Sequence, residues 1–250
     1  MTNPSSGTRL FVRLFHPSNW NGDMLPTLVA VAGGTGTIDG QKASLLAAGG
    51  FTVIAVDPDG RGQSEGQENL CGFIHQDGLA ALISLANTLP GVDGSQIGLI
   101  TFSYGVTMGT GVLARYPDLP IRFLIDWEGP ADRQDTTFNC KPNQKIQWPS
   151  CSDDNAWMER EALTFITQIK VPYQRVQSAQ DHAQKDVSHA LNMINAAVQA
   201  GVPWVRLNDY PPNQVYDLQN PPAMLPENQD KQLEEIIAHY AQELFQLENQ

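Results

Sequence analysis

The chain has 250 residues, 41% of them hydrophobic, which is enough for one α/β domain with a sizeable core. Its 27 acidic and 15 basic side chains give a formal net charge of -12, so we expect neither nucleic acid nor an anionic membrane surface as a partner. No apolar run approaches the roughly 18 residues of a membrane-spanning helix, and the N-terminus lacks the basic and apolar regions of a signal peptide.

Apolar β-rich runs alternate with helix-like runs, which predicts βαβ units and a mostly parallel central sheet flanked by helices. The predicted strands are Leu10–Phe15, Thr27–Ala32, Thr52–Val56, Ile97–Phe102, Phe123–Ile125, Tyr173–Gln177 and Trp204–Leu207. The predicted helices are Gly40–Ala48, Gln76–Leu89, Val106–Tyr116, Asn155–Ile169, Ser188–Ala200 and Lys231–Leu247. Residues 131–170 interrupt this rhythm, and we interpret them as a small cap inserted into a single domain of residues 1–250.

The predicted cap contains two of the three cysteines. A disulfide between Cys140 and Cys151 would close a short loop and stabilise it by roughly 2–3 kcal/mol, whereas a reducing cytoplasm would leave two free thiols. We expect a cytoplasmic location by default, and a secreted one if a leader was removed and this disulfide forms. Cys71 is interpreted as a packing residue, and no Cys-x-x-Cys pair indicates a zinc site.

A serine follows one predicted strand directly, in the run Thr101-Phe102-Ser103-Tyr104-Gly105. A strand, a tight turn and a helix are the context of a nucleophile elbow, in which small flanking residues relieve crowding. Gly105 meets that need fully, whereas Thr101 stands where glycine is usual. The alternative is an ordinary strand-to-helix turn that happens to contain a serine. The surrounding residues favour the elbow, with Ser103 as nucleophile.

An oxyanion site also has candidates. A buried strand ends in the glycine-rich run Gly33-Gly34-Thr35-Gly36, whose backbone N–H groups can turn toward a ligand. Gly34 or Thr35 could donate one hydrogen bond to a developing oxyanion, and the backbone of Tyr104 the other. The run lacks both the Gly-Lys-Ser/Thr of a phosphate loop and the Gly-x-Gly-x-x-Gly of a dinucleotide loop, so we expect no cofactor and no metal.

The acid that would orient a catalytic base is predicted from strand ends. Asp181 follows the strand Tyr173–Gln177 after three residues, where the carboxyl end of a parallel strand faces an active-site crevice. The alternative reading of Asp181 is a loop-forming residue before a helix. Asp126, at the end of Phe123–Ile125, is the reserve candidate, with Glu128 nearby.

These features together resemble the α/β-hydrolase superfamily, especially the dienelactone-hydrolase-like and prolyl-oligopeptidase-like esterases. The resemblance rests on Gly33–Gly36, on the run Asp57-Pro58-Asp59-Gly60-Arg61-Gly62-Gln63-Ser64, on the Ser103 elbow and on Asp181. It implies the α/β-hydrolase fold over nearly the whole chain. It also implies a Ser–His–Asp hydrolase in which Ser103 attacks and Asp181 orients the base.

The base histidine departs from the family pattern. The family places it after the last strand, but this chain has no histidine in the run that follows Leu207. His182 is the leading substitute, and His189 is the alternative. Adjacent side chains rarely pair well, so Asp126 and Asp209 are alternative candidates to Asp181 for orienting His182.

The favoured function is hydrolysis of small or medium carboxylic esters, with lactones as a further option, through an acyl-enzyme at Ser103. The main alternative is a non-catalytic binding protein that keeps a hydrolase fold without its base. A peptidase is disfavoured, because no large gating domain fits in this chain. Aromatic residues of the cap favour an apolar substrate group, although they could equally form the cap's own core. The expected partner is a small-molecule ester, and the sequence leaves the oligomeric state open.

Overall fold

The computed structural model describes residues 1–143, 145–226 and 232–247, and a seven-stranded sheet forms its centre. The strands are β1 (Phe11–Phe15), β2 (Leu25–Val31), β3 (Thr52–Asp57), β4 (Val92–Phe102), β5 (Phe123–Trp127), β6 (Tyr173–Val176) and β7 (Val205–Leu207). Their order across the sheet is β1-β3-β2-β4-β5-β6-β7, and every neighbouring pair is parallel except β1 with β3. The predicted α/β class is therefore confirmed.

Helices cover both faces of the sheet. The helices are α1 (Gly40–Ala48), α2 (Phe73–Leu85), α3 (Gly105–Arg115), α4 (Arg133–Thr136), α5 (Asp154–Met158), α6 (Ala162–Ile166), α7 (Ser188–Gln199) and α8 (Leu233–Gln246), with a 3-10 turn at Ala86–Thr88. Helices α1 and α8 pack on one face, and α2, α3, α6 and α7 pack on the other. The predicted start of the last helix, Lys231, lies outside the described residues. Among the described residues, no helix combines the length and the apolar character that crossing a bilayer requires.

Strand β4 links the two halves of the core because its side chains alternate between the faces. Ile97 and Leu99 belong to the core under α2 and α3, whereas Ile100 and Phe102 belong to the core under α1 and α8. All of these positions are buried. A strand that is apolar on both faces is typical of the centre of a parallel sheet, and it leaves only the strand end free for chemistry.

The segment between β5 and β6 contains α4, α5, α6 and a disulfide between Cys140 and Cys151. The single helix predicted over Asn155–Ile169 is wrong, because Glu161 is extended (φ -103°, ψ 104°) and separates α5 from α6. Tertiary contacts explain the break. Arg160 donates to the carbonyl oxygen of Asn69 at 2.7 Å, and Glu161 accepts a hydrogen bond from Arg133 at 2.6 Å. The assignment of residues 131–170 as a separate cap stays a prediction.

Thr101 is accommodated before the elbow because α3 carries a glycine opposite it. A Cβ atom on Gly109 would lie 2.4 Å from Cγ2 of Thr101. The close packing of α3 on β4 thus depends on Gly109 as much as on the residues of the turn itself.

We predict that Gly109→Ala lowers the free energy of unfolding by about 1–3 kcal/mol, because the new methyl group overpacks the contact with Thr101. The double variant Gly109→Ala/Thr101→Ser should recover much of this loss, because Thr101→Ser removes only the clashing methyl group. Urea unfolding of the wild type, both single variants and the double variant measures the coupling. Strictly additive effects of the two substitutions would contradict this account.

The disulfide gives a second prediction, because it closes a loop across a sequence separation of 11 residues. The double variant Cys140→Ser/Cys151→Ser should lose about 2–3 kcal/mol of unfolding free energy through the greater freedom of its unfolded chain. The wild type with dithiothreitol should fall to the same urea midpoint, whereas the double variant should not respond to the reductant. A wild-type midpoint that ignores the reductant would refute the prediction.

Candidate active site

Ser103 lies in a sharp turn between β4 and α3 and has a backbone φ of +52°, a conformation that is strained for a residue with a Cβ atom. Close backbone packing holds it there. A Cβ atom on Gly33 would lie 2.8 Å from Cβ of Ser103, and one on Gly105 would lie 2.7 Å from the carbonyl oxygen of Ala32. The N–H of Ser103 donates to the carbonyl oxygen of Trp127 at 2.8 Å. The serine is partly exposed at the crest of the sheet.

An imidazole meets this serine. Nε2 of His182 lies 2.8 Å from Oγ of Ser103, and Nδ1 of the same ring lies 2.8 Å from Oε2 of Glu128. The ring of His182 stacks on Trp127 with 4.6 Å between centroids and an interplanar angle of 21°. The His182 side chain is 30% exposed, whereas that of Glu128 is fully buried. A hydroxyl, an imidazole and a carboxylate therefore stand in a hydrogen-bonded line.

The carboxylate of Glu128 is buried but well supplied with donors. Oε1 accepts from the N–H and the hydroxyl of Ser178, and Oε2 accepts from the N–H of His182 at 3.0 Å as well as from its ring. Like Ser103, Glu128 has a left-handed backbone, with φ at +49°, directly after its strand. Hydrogen bonds of this number offset the cost of burying a carboxylate and fix its direction toward the ring.

Glu128, and not Asp181, makes the contact with the ring of His182 that was expected of Asp181. The nearest approach of Asp181 to Nδ1 of His182 is 3.5 Å, and its oxygens accept from Gln177, Ala183 and Gln184 instead. Burial raises the pKa of Asp181, but contacts with His189, Gln177 and the two N–H groups outweigh it and hold the pKa well below its usual range.

The reserve candidates lie elsewhere. Asp126 is fully buried and is bound by Arg175 and Tyr173, and burial raises its pKa against the pull of Arg175. His189 faces the carbonyl oxygen of Asp186 at 3.1 Å and the carboxylate of Asp181 at 3.2 Å, and no contact with Ser103 occurs among the described residues. Asp209 lies beside Tyr240. None of these three meets the ring of His182.

The sequence did contain a signal for Glu128. It is the first residue after β5, and β5 pairs directly with β4, the strand that carries Ser103. Asp126 lies two residues earlier, within the strand, and its carboxylate is used by Arg175 in the interior. The strand was predicted to end at Ile125, two residues too early, which placed Asp126 rather than Glu128 at the strand end.

Two of the predicted oxyanion residues adjoin the elbow in the chain, since Tyr104 follows Ser103 and Gly34 follows Gly33, which packs against Ser103. Gly34 has a φ of +53° in a turn closed by a hydrogen bond from Gly36 to Gly33. Within the described parts of the chain, the N–H groups of Gly34, Thr35 and Tyr104 donate to no protein acceptor, so all three are available to a ligand. Tyr104 directly precedes α3, where unpaired N–H groups and the helix dipole favour negative charge.

Residues of the disulfide loop lie over this corner. A Cβ atom on Gly34 would lie 3.7 Å from Cδ1 of Ile146, and the ring of Trp148 packs edge-on against Tyr104 with 4.6 Å between centroids. Burial raises the pKa of the Tyr104 phenol well above its usual value, and its hydroxyl donates to the carbonyl oxygen of Leu70. Apolar side chains of the disulfide loop therefore lie next to Gly34 and to the ring of Tyr104.

Glu128, Asp181 and His182 also form a group of possible metal ligands, with one ligand atom from each within 4.8 Å of the others. Glu128 and His182 already bind each other through those atoms, and Asp181 accepts from two N–H groups of its own turn. A cation would have to displace these bonds. The arrangement fits proton transfer along a chain of hydrogen bonds better than it fits a cation.

Solved structures with a similar fold include an esterase and several peptidases. The chain superposes on Est1E from Butyrivibrio proteoclasticus, with ferulic acid bound, at a TM-score of 0.70, 16% identity and 98% coverage of both chains. For a putative dipeptidyl aminopeptidase IV from Bacteroides ovatus the TM-score is 0.67 and the identity is 18%, and the match covers 95% of this chain but 34% of the peptidase. For a puromycin-hydrolyzing peptidase from Mycobacterium tuberculosis the TM-score is 0.68 and the identity is 16%, and the match covers 97% of this chain but 40% of the peptidase. The chain thus spans nearly all of Est1E but well under half of these two peptidases.

These likenesses establish the fold, which is the predicted α/β-hydrolase fold. A comparison with curated protein sequences finds no significant match. The model of the X-Pro dipeptidyl-peptidase (S15) family, however, matches residues 6–139, which is more than half of the chain and includes both Ser103 and Glu128. The chain therefore belongs to the X-Pro dipeptidyl-peptidase (S15) family.

Proposed function

We propose that the protein is a serine hydrolase that cleaves small or medium carboxylic esters through an acyl-enzyme at Ser103. The observation that carries this proposal is the hydrogen-bonded line from Oγ of Ser103 through the ring of His182 to Glu128, with 2.8 Å at each step. A non-catalytic binding protein has no need of a strained serine, an imidazole and a buried carboxylate in that arrangement.

The proposed reaction begins when His182 accepts the hydroxyl proton of Ser103 at Nε2 while Oγ bonds to the ester carbonyl carbon. Glu128 accepts a hydrogen bond from the N–H at Nδ1 of the ring. This bond keeps the ring in the required tautomer and stabilises the imidazolium ion. The tetrahedral oxyanion accepts hydrogen bonds from the N–H of Tyr104 and from that of Gly34 or Thr35. His182 then gives its proton to the alcohol oxygen as the bond between that oxygen and the acyl carbon breaks. A water molecule next attacks the acyl carbon while His182 accepts one of its protons, and His182 passes this proton to Oγ of Ser103 as the acyl–Oγ bond breaks and the acid leaves.

Peptide hydrolysis is the second candidate, because the family to which the chain belongs is named for a peptidase. The same three residues could cleave an amide, which has a poorer leaving group than an ester. Two observations favour the ester. The chain matches Est1E over nearly the full length of both proteins, and the apolar side chains of Ile146 and Trp148 lie next to Gly34 and to the ring of Tyr104.

We predict that Ser103→Ala and His182→Gln each lower kcat for p-nitrophenyl acetate by at least about 10³-fold, because each removes a member of a cooperating unit. Glu128→Gln should lower kcat by roughly 10³–10⁴-fold, because an amide cannot hold the required tautomer. His239→Gln is the matched control, since the His239 side chain is 61% exposed and lies on α8. Retention of full activity in Ser103→Ala would end the proposal.

The substrate class has a separate test. We expect kcat/KM for p-nitrophenyl butyrate to exceed that for alanyl-prolyl p-nitroanilide by at least about 10²-fold, a difference of roughly 2.7 kcal/mol in transition-state free energy. Both assays release a chromophore and are run with wild type and Ser103→Ala to exclude background hydrolysis. A Ser103-dependent preference for the anilide would replace the esterase proposal by the peptidase.

A further inference from the structure

We propose that the hydroxyl group of Tyr104 has a positioning role: bound to a turn that Arg61 and Glu68 hold in place, it aims the backbone N–H of Tyr104 at the oxyanion. This proposal rests on the proposed function, in which that N–H stabilises the negative charge of the tetrahedral intermediate. It assigns a use to Arg61, the centre of a sequence motif that the hydrogen-bonded line of the site leaves out.

The acceptor of the Tyr104 hydroxyl lies in an unusual turn. The hydroxyl donates to the carbonyl oxygen of Leu70 at 3.0 Å, within a turn of residues 69–72 that precedes α2. A backbone hydrogen bond of 3.1 Å between the first and last residues closes this turn. Its two central residues, Leu70 and Cys71, have left-handed backbones, with φ at +50° and +58°. Two successive residues with Cβ atoms are strained in this region, so surrounding bonds must hold them.

An ion pair holds the 69–72 turn from one side. Nε and Nη2 of Arg61 donate to the two carboxylate oxygens of Glu68 at 2.7 and 2.9 Å. Oε1 of Glu68 also accepts from the N–H of Leu70 at 2.6 Å. The Arg61 side chain is 1% exposed, and two parallel bonds to one carboxylate fix the geometry of the pair. The motif therefore determines where the backbone of Leu70 lies.

Two further side chains bind the backbone of the same turn. Nδ1 of His75 accepts from the N–H of Cys71 at 3.2 Å, and Nε2 of Gln76 donates to the carbonyl oxygen of Cys71 at 3.0 Å. Burial and the nearby charge of Arg61 lower the pKa of His75 to about 4, so its ring is neutral at pH 7 and can accept this bond. The carbonyl oxygen of Leu70 is thus a fixed acceptor.

The side chain of Tyr104 connects this fixed acceptor to the elbow. Tyr104 is 3% exposed, its ring packs edge-on against Trp148, and its N–H belongs to the peptide that follows the strained Ser103. The direction of that N–H changes with the position of the Tyr104 Cα atom. A hydroxyl held by Leu70 restrains the ring and, through the ring, this Cα atom. An oxyanion gains most from donors that need no reorganisation when the charge develops.

The same hydrogen bond could have a purely stabilising role, because a buried hydroxyl without an acceptor costs free energy. The two roles give different kinetics. A purely stabilising bond changes the free energy of unfolding and leaves kcat of the folded protein unchanged. A positioning bond lowers kcat and leaves KM unchanged, because the oxyanion forms only on the way through the transition state.

Tyr104→Phe removes the hydroxyl and keeps the ring. With p-nitrophenyl acetate, kcat should fall about 10-fold at an unchanged KM, less than the roughly 10²–10³-fold loss of a whole oxyanion donor, because the N–H remains but is aimed less well. Tyr116→Phe is the matched control, since the hydroxyl of Tyr116 donates to Oδ1 of Asp77 at 2.6 Å directly after the other end of α3. It should keep the wild-type kcat. An unchanged kcat in folded Tyr104→Phe, or an equal loss in Tyr116→Phe, would overturn the proposal.

Glu68→Gln tests the turn without changing the elbow. It removes the carboxylate that binds both Arg61 and the N–H of Leu70, and it should lower kcat by a factor similar to that of Tyr104→Phe. The double variant should lose no more than the larger single loss, because both substitutions act through one hydrogen bond. Losses that multiply, or a wild-type kcat in Glu68→Gln, would overturn the role of the turn. Glu68→Gln also decides the question by itself should Tyr104→Phe fail to fold.

Butylboronic acid separates this proposal from the proposed function, because its binding needs no turnover. Oγ of Ser103 bonds to the boron atom, His182 takes the hydroxyl proton, and the boron becomes a tetrahedral anion that resembles the intermediate. Its Kd, measured by calorimetry, should rise about 10-fold in Tyr104→Phe, because the donor to the anion is misaligned, and should keep the wild-type value in Tyr116→Phe. An unchanged Kd in Tyr104→Phe would overturn the positioning role.

The remaining outcomes distinguish the two proposals. A raised Kd in Tyr104→Phe, in a protein without Ser103-dependent ester turnover, would support the positioning role of Tyr104 while refuting the esterase proposal. A wild-type protein that does not bind the boronic acid would refute both.

Discussion

The candidate site depends on one constraint, which is that β4, β5 and β6 are adjacent and parallel and end at the same edge of the sheet. Each contributes one member of the hydrogen-bonded line: Ser103 after β4, Glu128 after β5 and His182 in the loop after β6. Ser103 and Glu128 both turn away from their strands with positive φ, so their side chains stand at the edge instead of entering a face. Strain at both positions is tolerated because packed strands and glycines hold the turns.

Below this edge, the structure uses polar groups where a parallel sheet normally places apolar ones. Asp126, Arg175 and Gln177 are completely buried, yet each is hydrogen-bonded. Such groups add little net stability, because their desolvation offsets their attraction. Their directional bonds, however, fix the relative positions of the loops after β5 and β6, which apolar packing would leave less defined.

Polar hydrogen bonds also fix the end of the last strand, β7. Asn208 directly follows β7, the strand after which the superfamily resemblance places a histidine. Its side chain instead accepts from the N–H of Gln177 and donates to the carbonyl oxygen of the same residue. Asn208 therefore braces the strand end from which the loop of His182 departs. The imidazole that meets Ser103 therefore comes from the loop after β6 and not from the end of β7.

The sequence by itself determined the α/β class, the mostly parallel direction of the strands, the turn at Ser103 and the glycine-rich loop, because these depend on local patterns of apolar residues and glycines. It also singled out His182, since few histidines were available. Only the tertiary structure paired His182 with Glu128 in place of Asp181. That choice depends on where β5 ends and on two turns with unusual backbone angles. The distances from Nδ1 of His182 to the two carboxylates differ by less than 1 Å. Packing across the sheet decides such a difference, and no local sequence pattern records it.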